Sequence, residues 1–314
     1  MPNNYIVKLS EKVEREHVRY NNRFNLAIAA DIYRAKDLDV NKKHPAIIVG
    51  APYGGVKEQG PCVYANELAE RGFVVLTFDQ SFMGESAGEP RNISSPEIFT
   101  ENFSAAVDYL GVKVSYVDRE RIGVIGICGS GGFALSAAQM DTRIKAVATS
   151  SMYVMTTAAR GMLDEKALAQ EKERLSLKRW EDFEKGHPEY IPSFPEEPLL
   201  KVPEDMEEPA AEWFRFYALS RGHHTNARGG FSTTSNLAFL NTDVTAFVDE
   251  ISPRPLLFIV GDRAHSKFFS EMIYEKAKEP KELYVVEDAE HIDLYDRTDR
   301  IPFEKLEKFF YESL

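Results

Sequence analysis

The stretch from Arg121 to Phe133, RIGVIGICGSGGF, is the feature that most constrains the fold of this chain. An apolar run ends at Gly126, Cys128 follows two residues later, and a glycine-rich segment then opens a helical pattern. This layout is typical of a nucleophile elbow, the sharp strand-to-helix turn that holds a reactive side chain above a sheet. Small residues suit such a turn because its backbone is strained and runs close to itself. The stretch therefore predicts a buried strand, a tight turn and a helix, with a cysteine where serine is usual.

Two registers fit this elbow, and each has one mismatch. With Cys128 as the nucleophile, Gly126 is in place and Ser130 stands where glycine is usual. With Ser130 as the nucleophile, Gly132 is in place and Cys128 replaces the first glycine. The glycine of the turn should close the apolar strand directly, and only the Cys128 register does so. We therefore predict Cys128 as the nucleophile and keep Ser130 as the alternative; a small buried cysteine beside a tight turn also fits the pattern.

The composition limits the classes of function. The chain has 314 residues, 43% of them hydrophobic, which suffices for a sizeable core in one large domain with an insertion or in two small domains. Its net charge of −12 disfavours binding to nucleic acid or to an anionic membrane surface. With two cysteines, Cys62 and Cys128, we expect a reduced cytoplasmic setting and no disulfide framework. No apolar run approaches the ~18 residues of a membrane span, and we expect no signal peptide.

Strands and helices alternate along most of the chain. Residues 13–34 have the alternating pattern of a hairpin. Six short apolar runs predict buried strands separated by helices, at 46–49, 73–78, 122–125, 144–149, 255–260 and 283–286. This order predicts an α/β chain with a mostly parallel central sheet that helices cover on both faces.

The alternation stops between the fourth and the fifth of these runs. Residues 152–252 are first charged and helix-like, then rich in proline and acidic residues, and include the aromatic run 213–217. An unstructured loop of this length is not expected inside a compact domain. We therefore predict a core domain of residues 1–151 and 253–314, with residues 152–252 as a helical cap insertion over the carboxyl end of the sheet.

A cysteine nucleophile needs a base, and an elbow implies the chain order nucleophile, acid, histidine. His291 follows the last predicted strand, where the histidine belongs; a surface histidine in an acidic turn is the alternative reading. Asp262 follows the preceding strand and is predicted to orient the imidazole, although Ala264 stands where the acid is often found. Asp262 could instead be a turn residue. Asp293 and Asp296 are the alternative acids.

Two backbone N–H groups are expected to hold the oxyanion. One belongs to Gly129, directly after the nucleophile, and the other to Tyr53 in the loop after the strand at 46–49. Tyr53 could instead turn its phenol inward or pack against the glycine turn. The position of Cys128 at a helix N-terminus beside a histidine predicts a lowered thiol pKa. Glu58 either meets the thiol or is a solvated charge.

Other chemistries lack support in the sequence. The seven histidines show neither an H-E-x-x-H pattern nor a Cys/His ligand spacing, so no metal site is expected. No glycine-rich loop is followed by G-K-[ST] or has the G-x-G-x-x-G spacing, so no phosphate cradle is expected either.

Four segments resemble the α/β-hydrolase superfamily, specifically its dienelactone-hydrolase-like branch. They are Gly126–Gly132, Gly50–Gln59, Asp79–Gly88 and Ala289–Asp296, and the resemblance spans most of residues 25–151 and 253–314. The chain is similar to largely uncharacterised bacterial hydrolases whose fungal relatives are described as polyketide transferases. The resemblance implies the α/β-hydrolase fold, acyl transfer through a Cys/Ser-His-Asp triad, and no cofactor. The chain departs from the family pattern at Ser130 and in the position of the acid.

We predict a hydrolase that cleaves a carboxylic ester, thioester or lactone. In this prediction Cys128 attacks the acyl carbon, His291 carries the proton, Asp262 orients His291, and Gly129 and Tyr53 hold the oxyanion. An acyltransferase that passes the same acyl group to an alcohol or amine is the alternative, and a non-catalytic binding protein on this fold is a third. The expected partner is a small-molecule acyl substrate, with no nucleic acid and no membrane; a homo-oligomer is left open.

Overall fold

The computed structural model describes residues 5–161 and 163–314, which are built around one sheet of eight strands. The strands are β1 (Val13–Asn21), β2 (Ala27–Ala35), β3 (His44–Gly50), β4 (Val74–Phe78), β5 (Val117–Ile127), β6 (Ile144–Ser150), β7 (Leu256–Gly261) and β8 (Lys281–Val286). Strands β1 and β2 form the predicted antiparallel hairpin, and β2 pairs antiparallel with β4. Strands β3 to β8 run parallel, and the order across the sheet is β1-β2-β4-β3-β5-β6-β7-β8.

Helices cover both faces of this sheet, as the alternating sequence pattern predicts. They are α1 (Gly60–Glu70), α2 (Pro96–Lys113), α3 (Gly129–Met140), α4 (Met155–Arg160), α5 (Glu165–Lys185), α6 (Ala210–Tyr217), α7 (Asn236–Leu240), α8 (Lys267–Lys276), α9 (Asp293–Asp296) and α10 (Phe303–Ser313). Alternate residues of a strand point to opposite faces, so Val124 of β5 packs into one core with α2, α3 and α8, whereas Ile125 packs into the other with α1 and α10. Because both faces of the sheet centre are covered, strands such as β4 and β7 are buried, nearly continuous apolar runs, whereas the edge strand β8 is partly exposed.

Helices α4 to α7 belong to the segment between β6 and β7, where the predicted insertion lies. The longest of them, α5, begins after Asp164, whose carboxylate accepts the N–H of Ala167 at 2.8 Å. It ends at Gly186, whose φ of +74° turns the chain away. Residues of this segment line a cavity together with the carboxyl end of β5, so the segment lies over the edge of the sheet that carries the elbow. Within the described ranges, no helix combines the length and the apolar composition that a membrane crossing requires.

Candidate active site

Cys128 occupies the turn between β5 and α3. Its φ of +51° lies in the left-handed region, which a residue other than glycine rarely adopts, as expected for a strained elbow. A Cβ atom on Gly126 would lie 2.3 Å from the carbonyl oxygen of Ser130, and one on Gly129 would lie 2.7 Å from Cβ of Tyr53. Glycine is therefore required on both sides of the cysteine. The turn holds the thiol at the end of the sheet, and 7% of the residue is exposed.

The alternative nucleophile, Ser130, lies within helix α3 and is buried. Its hydroxyl donates to the carbonyl oxygen of Ala51 at 2.5 Å. A hydroxyl fits at this position because Gly50 has no side chain; a Cβ atom there would lie 2.8 Å from Oγ of Ser130. Cys128 lines the cavity above the sheet, whereas the Ser130 hydroxyl is bound to the backbone. This geometry favours the Cys128 register.

The thiol and His291 are connected by a tyrosine. Tyr295 lies on α9, four residues after His291, and its hydroxyl is 2.9 Å from Nε2 of the imidazole. The same hydroxyl faces the sulfur of Cys128. On the far side of the ring, Nδ1 of His291 is 2.6 Å from the hydroxyl of Ser266. The structure thus arranges Cys128, Tyr295, His291 and Ser266 in a single buried row of polar groups.

The thiol does not have the lowered pKa that its position predicts. Burial raises the pKa of the Cys128 thiol, and the Tyr295 hydroxyl and the backbone N–H groups of Tyr53 and Gly129 offset only part of this shift. The helix N-terminus is therefore outweighed by desolvation of the anion. A thiol in this setting is protonated at rest and needs a base when it attacks.

Burial also keeps His291 neutral. The imidazole is fully buried, which lowers its pKa well below the usual value of 6.5, and the neighbouring His265 lowers it further. A neutral imidazole that bonds Ser266 through one nitrogen and Tyr295 through the other can accept a proton.

The structure does not bring the predicted acids to His291. Asp262 is exposed, and its carboxylate accepts the N–H of Ala289 at 3.3 Å, which holds the turn that leads to the histidine. Hydrogen bonds from the backbone N–H groups of Asp288, Ala289 and Arg263 lower the pKa of Asp262. The hydroxyl of Ser266 occupies the position beside Nδ1 that was predicted for Asp262.

The alternative acids are engaged elsewhere. Asp296 binds Arg221 through two contacts of 2.7 and 2.9 Å. Asp293 accepts the N–H of Glu290 at 3.0 Å and lies 3.6 Å from Arg221. Both carboxylates therefore tie the β6–β7 segment to α9 and do not contact the imidazole in the described part of the chain.

A buried carboxylate nevertheless lies beside the site, and it comes from α6. Glu212 accepts the N–H of Ile292 at 2.7 Å through one oxygen and lies 3.0 Å from Nδ1 of His265 through the other. The ring of His265 is 4.7 Å from that of His291, centroid to centroid. The ring of the second histidine thus packs against the predicted base, and the Glu212 carboxylate binds that second histidine.

The predicted oxyanion donors lie together at the thiol. The backbone N–H groups of Tyr53 and Gly129 both face the sulfur of Cys128. The phenol of Tyr53 points away, since its hydroxyl is 2.6 Å from that of Ser94 and its ring stacks on Phe231 at 4.1 Å. The phenol of Tyr53 is therefore not turned toward the thiol, and its backbone N–H is available there.

A cavity of about 610 Å³ opens above Cys128. Its floor is formed by the elbow and Tyr295, and most of its walls come from the β6–β7 segment. The walls are mainly apolar, with Arg228 as a charged exception, and they are rich in aromatic residues: Tyr153, Phe194, Trp213, Phe214, Tyr217 and Phe231. A cavity of this size and lining suits a bulky apolar ligand.

A second buried polar cluster surrounds Lys57 in the loop between β3 and α1. Lys57 is fully buried; its ammonium contacts Glu58 and lies 3.3 Å from Asp79 and 2.8 Å from Glu85. The three carboxylates lie close enough together to hold a metal ion, but the lysine ammonium already supplies positive charge among them. Burial and Asp79 raise the pKa of Glu58 to about 7. Glu58 is thus neither a partner of the thiol nor a solvated charge.

Four residues of the site were missed by sequence reasoning: Ser266, Tyr295, His265 and Glu212. Tyr295 had a signal, because residues four apart on a helical turn share a face and Tyr295 follows His291 by four. Ser266 and His265 follow β7 in the loop where an acid was sought. No pattern in the sequence pointed to Glu212, since it lies on α6, 80 positions before its partner Ile292.

The comparisons with known proteins identify the family. A family model described as dienelactone hydrolase family matches residues 28–153, which contain the loop after β3 and the turn at Cys128. The uncharacterized protein PA2218 of Pseudomonas aeruginosa is 47% identical over 313 residues, which cover 98% of this chain and 82% of that protein. The crystal structure of PA2218 has a TM-score of 0.94 and 44% identity, over 99% of this chain and 97% of the crystallised one.

Two fungal proteins are more distant. The structure of the alpha/beta hydrolase GrgF from Penicillium sp. sh18 has a TM-score of 0.77 at 22% identity, over 96% of this chain and 99% of GrgF, which is a likeness of fold. The acyltransferase drtE of Aspergillus calidoustus is 29% identical over 169 residues, which are 53% of each protein. Together with the nearly full-length match to PA2218 and the family model, these likenesses show that the chain is an enzyme with the α/β-hydrolase fold and belongs to the dienelactone hydrolase family.

Proposed function

We propose that the chain cleaves carboxylic esters, thioesters or lactones with a bulky apolar acyl group through an acyl-enzyme on Cys128. The observation that carries this proposal is the convergence at one sulfur atom of two backbone N–H groups and the Tyr295 hydroxyl, which is bonded to His291, at the floor of the cavity. A nucleophile, a base and oxyanion donors are the parts that acyl transfer needs.

In the proposed reaction the proton of the thiol moves through Tyr295. As the sulfur attacks the acyl carbon, the Cys128 proton passes to the oxygen of Tyr295, and Tyr295 gives its own proton to Nε2 of His291. Ser266 accepts the hydrogen bond from Nδ1–H and so keeps the tautomer in which Nε2 is free to accept. This route matches the resting state, in which the thiol is protonated and the imidazole is neutral.

The two backbone N–H groups of Tyr53 and Gly129 then hold the oxyanion of the tetrahedral intermediate. When the intermediate collapses, the bond to the leaving oxygen or sulfur breaks and the imidazolium returns its proton to that atom through Tyr295. Water attacks the resulting thioester by the same route, which releases the carboxylic acid and restores the thiol. Asp262 has no step in this scheme; its place in it is to hold the turn before His291.

We also propose the division of the chain into a core domain of residues 1–151 and 253–314 and a cap of residues 152–252. The cap supplies most of the walls of the cavity, and therefore selects the acyl group, while the core supplies the nucleophile and the base. Because the lining is largely aromatic and the cavity measures about 610 Å³, we expect large aromatic or branched acyl groups to be preferred over acetyl.

Acyl transfer to an alcohol or amine is the second candidate function. It is favoured by the 7% exposure of Cys128 beneath the aromatic walls, because an acyl-enzyme shielded from water survives until an organic acceptor enters. An assay of products with and without added alcohol or amine separates the two reactions.

Mass spectrometry after a short pulse of a p-nitrophenyl ester or an acyl thioester tests the proposal. We expect one acyl group, mapped by proteolysis to the peptide that contains Cys128, and none in the Cys128→Ala variant. An acyl group on Ser130, or turnover by Cys128→Ala equal to that of the wild type, contradicts the proposed nucleophile.

A further inference from the structure

The carboxylate that the predicted triad lacks comes from the cap. We infer that Glu212 of helix α6 is a positioning residue of the site, which acts on His291 through His265 and through the backbone of Ile292. The inference rests on the proposed function, in which His291 becomes positively charged as Cys128 attacks. It assigns to the cap a part of the proton-transfer machinery in addition to the walls of the cavity.

The contacts of Glu212 are those of a carboxylate with a defined position. Its side chain is 9% exposed, and each oxygen has one partner: the N–H of Ile292 at 2.7 Å and Nδ1 of His265 at 3.0 Å. Ile292 is the residue directly after His291, so the first contact holds the backbone of the catalytic histidine. An unpaired buried carboxylate is costly, which means that the two partners and the docked position of α6 stabilise one another.

His265 carries the influence of Glu212 to the base. The two imidazole rings are 4.7 Å apart with their planes at 39°, and Tyr153 packs against both. Because Nδ1 of His265 faces the carboxylate, its Nε2 is turned away from Glu212, and in the described part of the chain this buried nitrogen has no hydrogen-bond partner. The rings of His265 and His291 and the carboxylate thus form one contiguous group.

We expect the negative charge of Glu212 to affect the protonation of His291. The direct partner of Nδ1 of His291 is Ser266, a neutral hydroxyl that orients the imidazole but cannot balance a positive charge on it. Glu212 is bound to His265, whose ring lies 4.7 Å from that of His291, and to the backbone N–H of Ile292; at low dielectric a charge this near stabilises the imidazolium that forms during attack. Other titratable groups also face this region. Glu212 acts on Cys128, Tyr153 and Tyr295 as well. Tyr217 of α6 contacts Tyr295, and Asp293 is paired with Arg221 and Arg297.

Because Glu212 belongs to the cap and Ile292 to the core, this charge reaches the base only when α6 is docked. Substrate that fills the cavity contacts Trp213 and Tyr217 of the same helix. The arrangement therefore couples occupation of the acyl cavity to the position of the carboxylate beside the base.

The test is the pH dependence of turnover in the Glu212→Gln variant with a p-nitrophenyl ester. Glutamine keeps the length of the side chain and removes its charge. We expect kcat to fall about 10²-fold with KM nearly unchanged, and the acid limb of the kcat profile to move to lower pH, because loss of the negative charge lowers the pKa of His291. Glu207→Gln, an exposed glutamate in the same stretch, is the matched control and should behave as the wild type.

His265→Gln gives a second and opposite readout. His265 lowers the pKa of His291, so its removal should move the acid limb to higher pH. The double variant should lose less than the product of the two single losses, since the pair acts as a unit. If Glu212→Gln fails to fold, judged by circular dichroism, Glu212→Asp takes its place: the charge is kept, so the acid limb should stay at the pH of the wild type, and a shift to lower pH would contradict the role of the charge.

Two results overturn the inference: a Glu212→Gln enzyme with kcat within about threefold of the wild type, or one that loses activity while its acid limb stays in place. Failure of the proposed function is distinguishable, because it shows in the pulse-labelling of the wild-type enzyme. Acylation of Cys128 in the wild type together with an unshifted Glu212→Gln profile leaves the nucleophile intact and removes only the role of Glu212.

Discussion

The loop from Ala51 to Gln59 joins two buried polar clusters of opposite character. At one end the backbone of Tyr53 faces Cys128, whose neighbours His291 and Tyr295 are kept neutral by burial. At the other end Lys57 is fully buried among three carboxylates, and although burial alone lowers the pKa of its ammonium, Asp79 and Glu58 raise it overall. Burial thus leaves His291 neutral, because no partner compensates a charge on it. Lys57 keeps its charge despite burial, because carboxylates surround it. The first arrangement can exchange protons, whereas the second holds the loop in place.

Replacing the proposed nucleophile, Cys128, should cause the largest loss of activity. Cys128→Ala removes the sulfur and should lower kcat/KM by at least about 10⁴-fold, with stability close to that of the wild type because a small buried side chain is replaced by a smaller one. Ester hydrolysis and thermal unfolding measure the two parts. Residual turnover within about tenfold of the wild type would exclude Cys128 as the nucleophile.

Removing the charge at the centre of the other cluster should affect stability. Lys57→Met leaves Asp79, which is fully buried, without a compensating cation, and we expect a loss of about 3–5 kcal/mol in the free energy of unfolding. Chemical denaturation measures it. Lys8→Met is the control, because Lys8 and its partner Glu11 are both largely exposed, and it should change stability by less than about 0.5 kcal/mol. Equal losses in the two variants would mean that the buried cluster is not structural.

Tyr295→Phe tests whether the proton passes through the tyrosine. The ring remains, but the hydroxyl between Cys128 and Nε2 of His291 is lost, so we expect kcat to fall about 10²–10³-fold. Tyr153→Phe is the matched control: its ring lies against His291 and lines the same cavity, and we expect a change below about threefold. Similar losses in both variants would argue for a general effect on the cavity.

The pH profile of the wild-type enzyme tests whether His291 is neutral in the resting site. The relay needs a neutral His291, whose pKa lies below 6.5 because the ring is buried and His265 is adjacent. We therefore expect kcat/KM to stay constant as the pH falls through 6.5 and to decline only at lower pH. An acid limb at or above pH 6.5 in a steady-state profile would show that another group, or a more exposed imidazole, acts as the base.

The smallest expected effect concerns the alternative nucleophile. Ser130→Ala removes the hydrogen bond to Ala51 and should cost about 1 kcal/mol of stability, with kcat/KM within a few-fold of the wild type. Pulse-labelling should still place the acyl group on Cys128. Loss of acylation in Ser130→Ala, with Cys128 present, would restore the Ser130 register.

The residues of the site that could be predicted are those whose positions follow from the order of strands and helices along the chain. Gly126, Cys128 and Gly129 are adjacent in sequence, and steric requirements of the turn restrict them, so a single stretch predicts the elbow. His291 lies next to the site because the carboxyl ends of parallel strands meet at one edge. The same argument placed Asp262 at that edge, but its carboxylate binds the backbone of Ala289.

The other residues of the site could not be predicted. Their roles depend on the direction in which each side chain points and on how the segment between β6 and β7 packs. Strand order brings residues 262–266 near the histidine, but it does not say which of them points inward; the structure directs Ser266 to His291 and leaves Asp262 in solvent. The expectation of a lowered thiol pKa counted the helix N-terminus and the histidine, and omitted the desolvation that a closed cavity imposes.

The positions of the strands and the tight turn at Cys128 could be predicted from the sequence, because apolar periodicity and the steric demands of glycine are local properties of the chain. The folded structure was needed to show that a tyrosine stands between the thiol and the imidazole, that a serine hydroxyl lies where the acid was expected, and that Glu212 approaches from α6. Hydrogen bonds and pKa values depend on the distances between side chains and on the exclusion of water, and both arise only when the insertion packs onto the sheet.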